Sequence, residues 1–148
     1  MKIDFFKHAL GNDELEEIRK TLDSNFLTYG PQTIAFENEL SQFIGAPYAV
    51  GLSSCTSGLF LCLKAMGIGP GDEVITTPMT FVATSNSVLH AGATPVFADV
   101  DSRTGNIDFD SVSRAITPKT KAIIVVHLYG QMVDVVKFKK LADQHNLF

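Results

Sequence analysis

The sequence predicts an α/β fold, a mostly parallel sheet with helices on both faces. Short apolar runs alternate with segments of helical periodicity, and none of the connections between them carries a hairpin signal. That alternation is the pattern of strand–helix–strand crossovers, which bring parallel strands together and lay helices over the sheet. Small and polar residues collect where strands give way to helices, the edge at which such sheets bind ligands.

The first helix is expected over residues 12–23. Asn12 or Asp13 caps it, Glu14, Glu16 and Glu17 fill the early turns, and Leu15, Ile18 and Leu22 are expected to face inward. A turn-rich stretch, residues 26–31, carries exposed aromatics and reads either as a surface connector or as a loop over a site. A second helix follows over residues 33–43, with Gly45 as its stop. Residues 48–52 then read as a short buried strand. The next helix has Leu59, Cys62, Leu63 and Met66 as its apolar stripe.

Beyond the turn at residues 67–72, a second strand is expected at 73–76, a helix at 81–90 and a third strand at 94–99. A polar turn over residues 101–106 leads to a short helix at 108–116. A fourth, strongly apolar strand at 121–126 and an amphipathic helix at 133–145 complete the pattern. Leu147 and Phe148 read as the start of another strand, so the chain looks like part of a larger protein.

The junction after residue 52 is the stretch around which the chain is organised. Ser53, Ser54, Cys55, Thr56, Ser57 and Gly58 bring little bulk and four hydroxyls. A helix start leaves about four amides without intrahelical partners and carries partial positive charge. Strand, small polar turn and helix N-terminus together form either a cup sized for a phosphate or an ordinary serine-rich cap. No Gly-Lys-Ser/Thr follows, and no G-x-G-x-x-G is present here, so neither a P-loop nor a dinucleotide fingerprint accounts for it.

A chain of 148 residues, 45% hydrophobic and 19% charged, has the composition of a globular domain. Its net charge of −4, with lysines clustered only at 137, 139 and 140, argues against nucleic acid as a partner. Cys55 and Cys62 have neither C-x-x-C spacing nor histidines nearby, so no disulfide, metal site or catalytic thiol is expected. The opening residues lack a secretory pattern and no apolar run would span a bilayer, which leads us to expect a cytoplasmic, non-membrane protein.

Several blocks, in order, carry a resemblance. Leu27-Thr-Tyr-Gly-Pro31, Gly69-Pro-Gly-Asp-Glu-Val-Ile-Thr-Thr-Pro78, Thr80-Phe-Val-Ala-Thr84, Gly92-Ala-Thr-Pro-Val-Phe-Ala-Asp-Val-Asp101, the 116–123 stretch and Val126-His-Leu-Tyr-Gly-Gln131 are together similar to the DegT/DnrJ/EryC1/StrS aminotransferases. The resemblance implies a fold-type I enzyme using pyridoxal 5′-phosphate (PLP). It further implies a cytoplasmic homodimer that moves an amino group from L-glutamate onto a nucleotide-linked keto-sugar for polysaccharide, lipopolysaccharide or glycan synthesis. Sugar dehydration on the same scaffold, and a non-catalytic binding or dimerising fragment, are the alternatives.

Carried over by residue, the phosphate-binding pair falls on Thr56 and Ser57, and the aromatic stacked on the cofactor ring falls on Phe81. Tyr29 and Gly30 match a loop near the substrate. The acid that pairs with the pyridine nitrogen and the lysine that carries the cofactor are expected beyond Phe148, so no catalytic residue is assigned within the chain. The resemblance therefore implies that residues 1–148 are an N-terminal segment and an incomplete large domain, with the rest of that domain and a small C-terminal domain outside them. His127, after the fourth strand, reads as a structural histidine at a strand end or as a member of the rim.

Overall fold

The computed structural model describes residues 6–148, which fall into two units, the first running to Gly51 and the second Leu52–Phe148. The first unit holds α1 (Asn12–Leu22) and α2 (Pro31–Ile44). At the start of α1 the Glu14 carboxylate accepts the Gly11 amide at 2.6 Å, and acidic residues occupy the positive end of the helix dipole. Proline opens α2, where its missing N–H costs nothing, and Gly45 closes it in the left-handed region at φ 68°. Gln32 on α2 donates to Glu17 on α1 at 2.9 Å.

The inward stripe expected on α1 is not buried: Leu15, Ile18 and Leu22 are each more than half exposed. Helical periodicity identifies an apolar face, and it says nothing about whether a partner surface lies within the same chain.

The second unit contains α3 (Cys55–Ala65), β1 (Glu73–Thr76), α4 (Ala83–Ala91), β2 (Thr94–Phe97), α5 (Phe109–Ala115), β3 (Thr120–Ile123) and α6 (Val135–His145). Its three strands are all parallel and lie in the order β2-β1-β3. The central strand is buried on both faces. Val74 joins Leu63, Ile68, Val88, Ala91, Ala93 and Ala122 in a core beneath α3 and α4. Its neighbour Ile75 points the other way, into Ala98, Ile107, Val112, Val133, Phe138 and Leu141 beneath α5 and α6. Alternation along one four-residue strand thus builds two cores.

Two further expectations fail. Residues 48–52 form no strand among the described residues, and Tyr48 and Val50 are 85% and 75% exposed. An extended segment becomes a strand only when a neighbour supplies ladder partners, and β1 pairs with β2 and β3 instead. The expected stripe on α3 is also narrower than its periodicity. Leu63 is buried and Phe60 packs beside it, whereas Cys62 and Met66 face outward. The strand ends predicted at residues 99 and 126 retreat to Phe97 and Ile123.

At the outer edge of β3, Phe148 donates to the Lys121 carbonyl and accepts from the Ile123 amide, both at 3.0 Å. That pair of bonds is the parallel ladder pattern, and it bears out the strand-like reading of the last residues.

The polar turn after β2 is closed by Asp101. Its carboxylate accepts the Thr104 amide at 2.9 Å, the Arg103 amide at 3.0 Å and the Thr104 hydroxyl at 3.1 Å. These amides, Thr104 first, hold the carboxyl below its ordinary value of 3.8. A carboxyl depressed on folding stabilises the fold above its unfolded value, and that contribution disappears as pH falls through the lower folded value. Asp101→Asn is therefore expected to lower the urea midpoint at pH 7, with the gap from wild type closing as pH falls below 3.8 and through the lower folded value. A gap that is unchanged across that range would show that the turn does not depend on the charge.

Candidate cofactor site

The small polar junction folds as a helix N-terminus. Ser54 is the N-cap of α3, in extended conformation, and its hydroxyl accepts the Ser57 amide at 3.1 Å. The hydroxyls of Ser54 and Ser57 lie 3.0 Å apart and those of Ser53 and Ser57 3.4 Å apart. The first intrahelical bond runs from the Gly58 amide to the Ser54 carbonyl at 3.1 Å. The amides of Cys55 and Thr56, at the first two helical positions, are left without acceptors among the described residues.

The cup thus offers two free N–H groups, three clustered serine hydroxyls and the positive end of a helix dipole. Those donors fit a phosphate. Thr56 brings a free amide, while Ser57 has committed its amide to the cap and has its hydroxyl to offer. Cys55 is an exposed, free thiol at the same helix start.

Phe81 lies in the turn that follows β1. Thr77, itself buried, accepts the Met79 amide on its hydroxyl at 3.1 Å, and the hydroxyls of Thr80 and Thr84 meet at 3.1 Å. These contacts fix the turn on either side of Phe81, whose ring is 76% exposed. Phe81 thus lies beyond the carboxyl end of the central parallel strand and belongs to neither core of this unit. The helix that follows, α4, packs directly along α3, the helix that begins at the cup.

The other rim residues form a third group. The loops after β1, β2 and β3 converge at Gly105, where an added Cβ would lie 2.8 Å from Leu128 and 3.6 Å from Met79. His127 accepts the Val133 amide on Nδ1 at 3.3 Å, a hydrogen bond of the kind the structural reading expects. Asn106, which sequence reasoning passed over within a polar turn, is buried here and reaches the 128–131 turn with both ends of its side chain. Only its burial distinguishes it, and a polar turn gives no signal of that.

In the first unit, Tyr29 is exposed and donates its hydroxyl to Glu37 at 2.6 Å. The second carboxylate oxygen of Glu37 accepts the Gly51 amide at 2.7 Å. Tyr29 first, then Gly51, hold the Glu37 carboxyl below its ordinary value, and the same bond raises the Tyr29 phenol. Gly30 is buried at the N-cap of α2, where an added Cβ would stand 3.2 Å from the Phe26 carbonyl. Among the described residues no cluster of histidine, cysteine or acidic groups could hold a metal ion. No helix among them is long and apolar enough to cross a membrane.

The chain is 50% identical over 139 residues to the spore coat polysaccharide biosynthesis protein SpsC of Bacillus subtilis, covering 94% of this chain and 36% of that protein. It is 41% identical over 139 residues to the GDP-perosamine synthase of Caulobacter vibrioides, covering 93% of this chain and 38% of the synthase. The structure superposes on the PMP form of Spr1654 from Streptococcus pneumoniae with a TM-score of 0.93 at 38% identity, over 97% of this chain and 36% of that one. The chain therefore spans somewhat more than a third of the length of these relatives. Its fold is the amino-terminal part of the PLP-dependent transferase fold seen in them. With the family's sequence model matching residues 8–148, the chain belongs to the DegT/DnrJ/EryC1/StrS aminotransferase family.

Proposed function

We propose that this chain supplies the phosphate cup and ring-stacking face of a PLP-dependent sugar aminotransferase. The observation that carries the reading is the α3 N-terminus, with the free Cys55 and Thr56 amides beside the hydroxyls of Ser53, Ser54 and Ser57. A dianionic phosphate is the ligand that such a donor set and dipole favour. PMP and PLP forms of Spr1654 share this fold, which supports the choice of cofactor.

In this reading Thr56 and Ser57 anchor the phosphate and Phe81 lies flat against the pyridine ring. Aromatic stacking of that kind contributes roughly 0.5–1.5 kcal/mol beyond area burial. The bound cofactor supplies the electron sink that makes amino-group exchange possible. The chain's own part would be to hold the cofactor at its phosphate and against its ring. Tyr29 and Gly30 belong to the loop that meets the substrate, with the Tyr29 hydroxyl fixed by Glu37.

The full-length protein would transfer an amino group from L-glutamate to a nucleotide-linked keto-sugar, in the cytoplasm and as a homodimer. The acid and lysine that complete the cofactor site would lie outside these 148 residues, as would the rest of the large domain and a small C-terminal domain. SpsC and GDP-perosamine synthase, named for polysaccharide and amino-sugar synthesis, support the substrate class. The test is incubation of the full-length protein with PLP, L-glutamate and a panel of nucleotide-linked 3-keto and 4-keto sugars. Formation of 2-oxoglutarate and an amino-sugar nucleotide supports the reading. Loss of water from the sugar without consumption of glutamate would replace it with the dehydratase reading.

Phe81→Ala is expected to weaken PLP binding by about tenfold, by removing the stacked face and its buried area, whereas Phe81→Trp keeps the affinity near wild type. Titration of the cofactor's absorbance measures both. Equal affinities for Phe81→Ala and wild type would remove Phe81 from the site.

A further inference from the structure

The turn that follows β3 is built with more care than a connection needs. Residues Leu128–Gly130 form a single 3-10 turn in which Tyr129 adopts φ 52° and ψ 29°, the left-handed region that β-carbon sterics disfavour. The Tyr129 ring is 95% exposed within these 148 residues, so no packing among them compensates for that backbone. Strain of this kind persists only where the surroundings impose it.

Asn106 bonds the turn on both sides of Tyr129. The side chain is 7% exposed; its Oδ1 accepts the Leu128 amide at 3.0 Å and its Nδ2 donates to the Gln131 carbonyl at 2.9 Å. Those two bonds clamp the turn immediately before and after the two left-handed residues, Tyr129 and Gly130. The turn lies beyond the carboxyl end of a parallel strand, against the loops after the other two strands through Gly105.

We infer that Asn106 is a positioning residue that holds Tyr129 out over the rim, where its ring stacks on a ring face of the nucleotide-linked sugar. The inference rests on the function proposed above and adds a specificity element to it. A tyrosine ring presents a flat apolar face suited to a nucleobase or a sugar ring, and the amino donor L-glutamate has neither. Sugar affinity should therefore depend on Tyr129 and Asn106, and glutamate affinity should not.

The experiment is steady-state kinetics of the full-length protein, varying each substrate in turn. Tyr129→Gly removes the ring and also relieves the left-handed backbone, so the variant should fold at least as well as wild type. It is expected to raise KM for the sugar about tenfold with KM for glutamate unchanged. Tyr129→Phe, which keeps the ring face, should restore the wild-type value. Asn106→Ala should reproduce the sugar-only rise in KM, accompanied by a lower unfolding midpoint. An unchanged sugar KM in Tyr129→Gly, or equal shifts for both substrates, overturns the inference while leaving aminotransferase activity in place. If wild-type protein turns over no nucleotide-linked sugar, the reading beneath it fails as well, and the inference falls with it.

Discussion

Ser57→Asp is expected to reduce PLP affinity by about a hundredfold or more while leaving α3 intact. A carboxylate at the third helical position would stand among the hydroxyls of Ser53 and Ser54, where the phosphate would be held. Juxtaposing like charges costs several kcal/mol, and each 1.4 kcal/mol corresponds to about tenfold in affinity. The same carboxylate is favoured by the helix dipole, by roughly 0.3–1 kcal/mol, so the loss of binding cannot be a loss of helix. Ser57→Ala, which removes one hydroxyl, should cost only about tenfold. Equilibrium dialysis against PLP, with thermal melting of each variant, measures the two effects separately. Equal affinity in Ser57→Asp and wild type would mean that the phosphate binds somewhere else.

The second large effect belongs to the fold. Ile75 is fully buried at the centre of β1, within the core beneath α5 and α6. Ile75→Ala deletes three carbons from the point where sheet and both helices meet, and it should destabilise the protein by about 2–5 kcal/mol. Leu61, 46% exposed on α3, provides the contrast. Leu61→Ala should change stability by no more than about 0.5 kcal/mol. Urea unfolding of the two variants beside wild type tests the pair. If they were equally stable, the sheet could not be organised around β1 as described.

How much the sequence reveals depends on where the information lies. The cup is legible because its ingredients are local: small residues, serines at a cap, and a helix that starts where the periodicity changes. The alternation of apolar runs with helical stripes likewise exposes the parallel sheet, since period and order are properties of the chain itself. The segment at residues 48–52 was misread because an apolar run looks the same whether or not a neighbouring strand exists to pair with it. Leu15, Ile18 and Leu22 were misread in the same way, as an amphipathic stripe announces a contact without naming its partner. Asn106 was invisible for a different reason. A polar residue in a turn is ordinary, and only the fold shows it buried with both ends of its amide bonded to another loop. Of the two readings open for His127, the structure shows the hydrogen bond of the first, its ring nitrogen accepting a backbone amide, though β3 stops at Ile123 and leaves it in a loop.

A crystal structure of the full-length protein grown with PLP is expected to show the cofactor phosphate at the amino end of α3, within hydrogen-bonding distance of the Thr56 amide and the Ser57 hydroxyl, with the pyridine ring against Phe81. A phosphate bound away from residues 53–57, or a cofactor ring with no contact to Phe81, would contradict that placement.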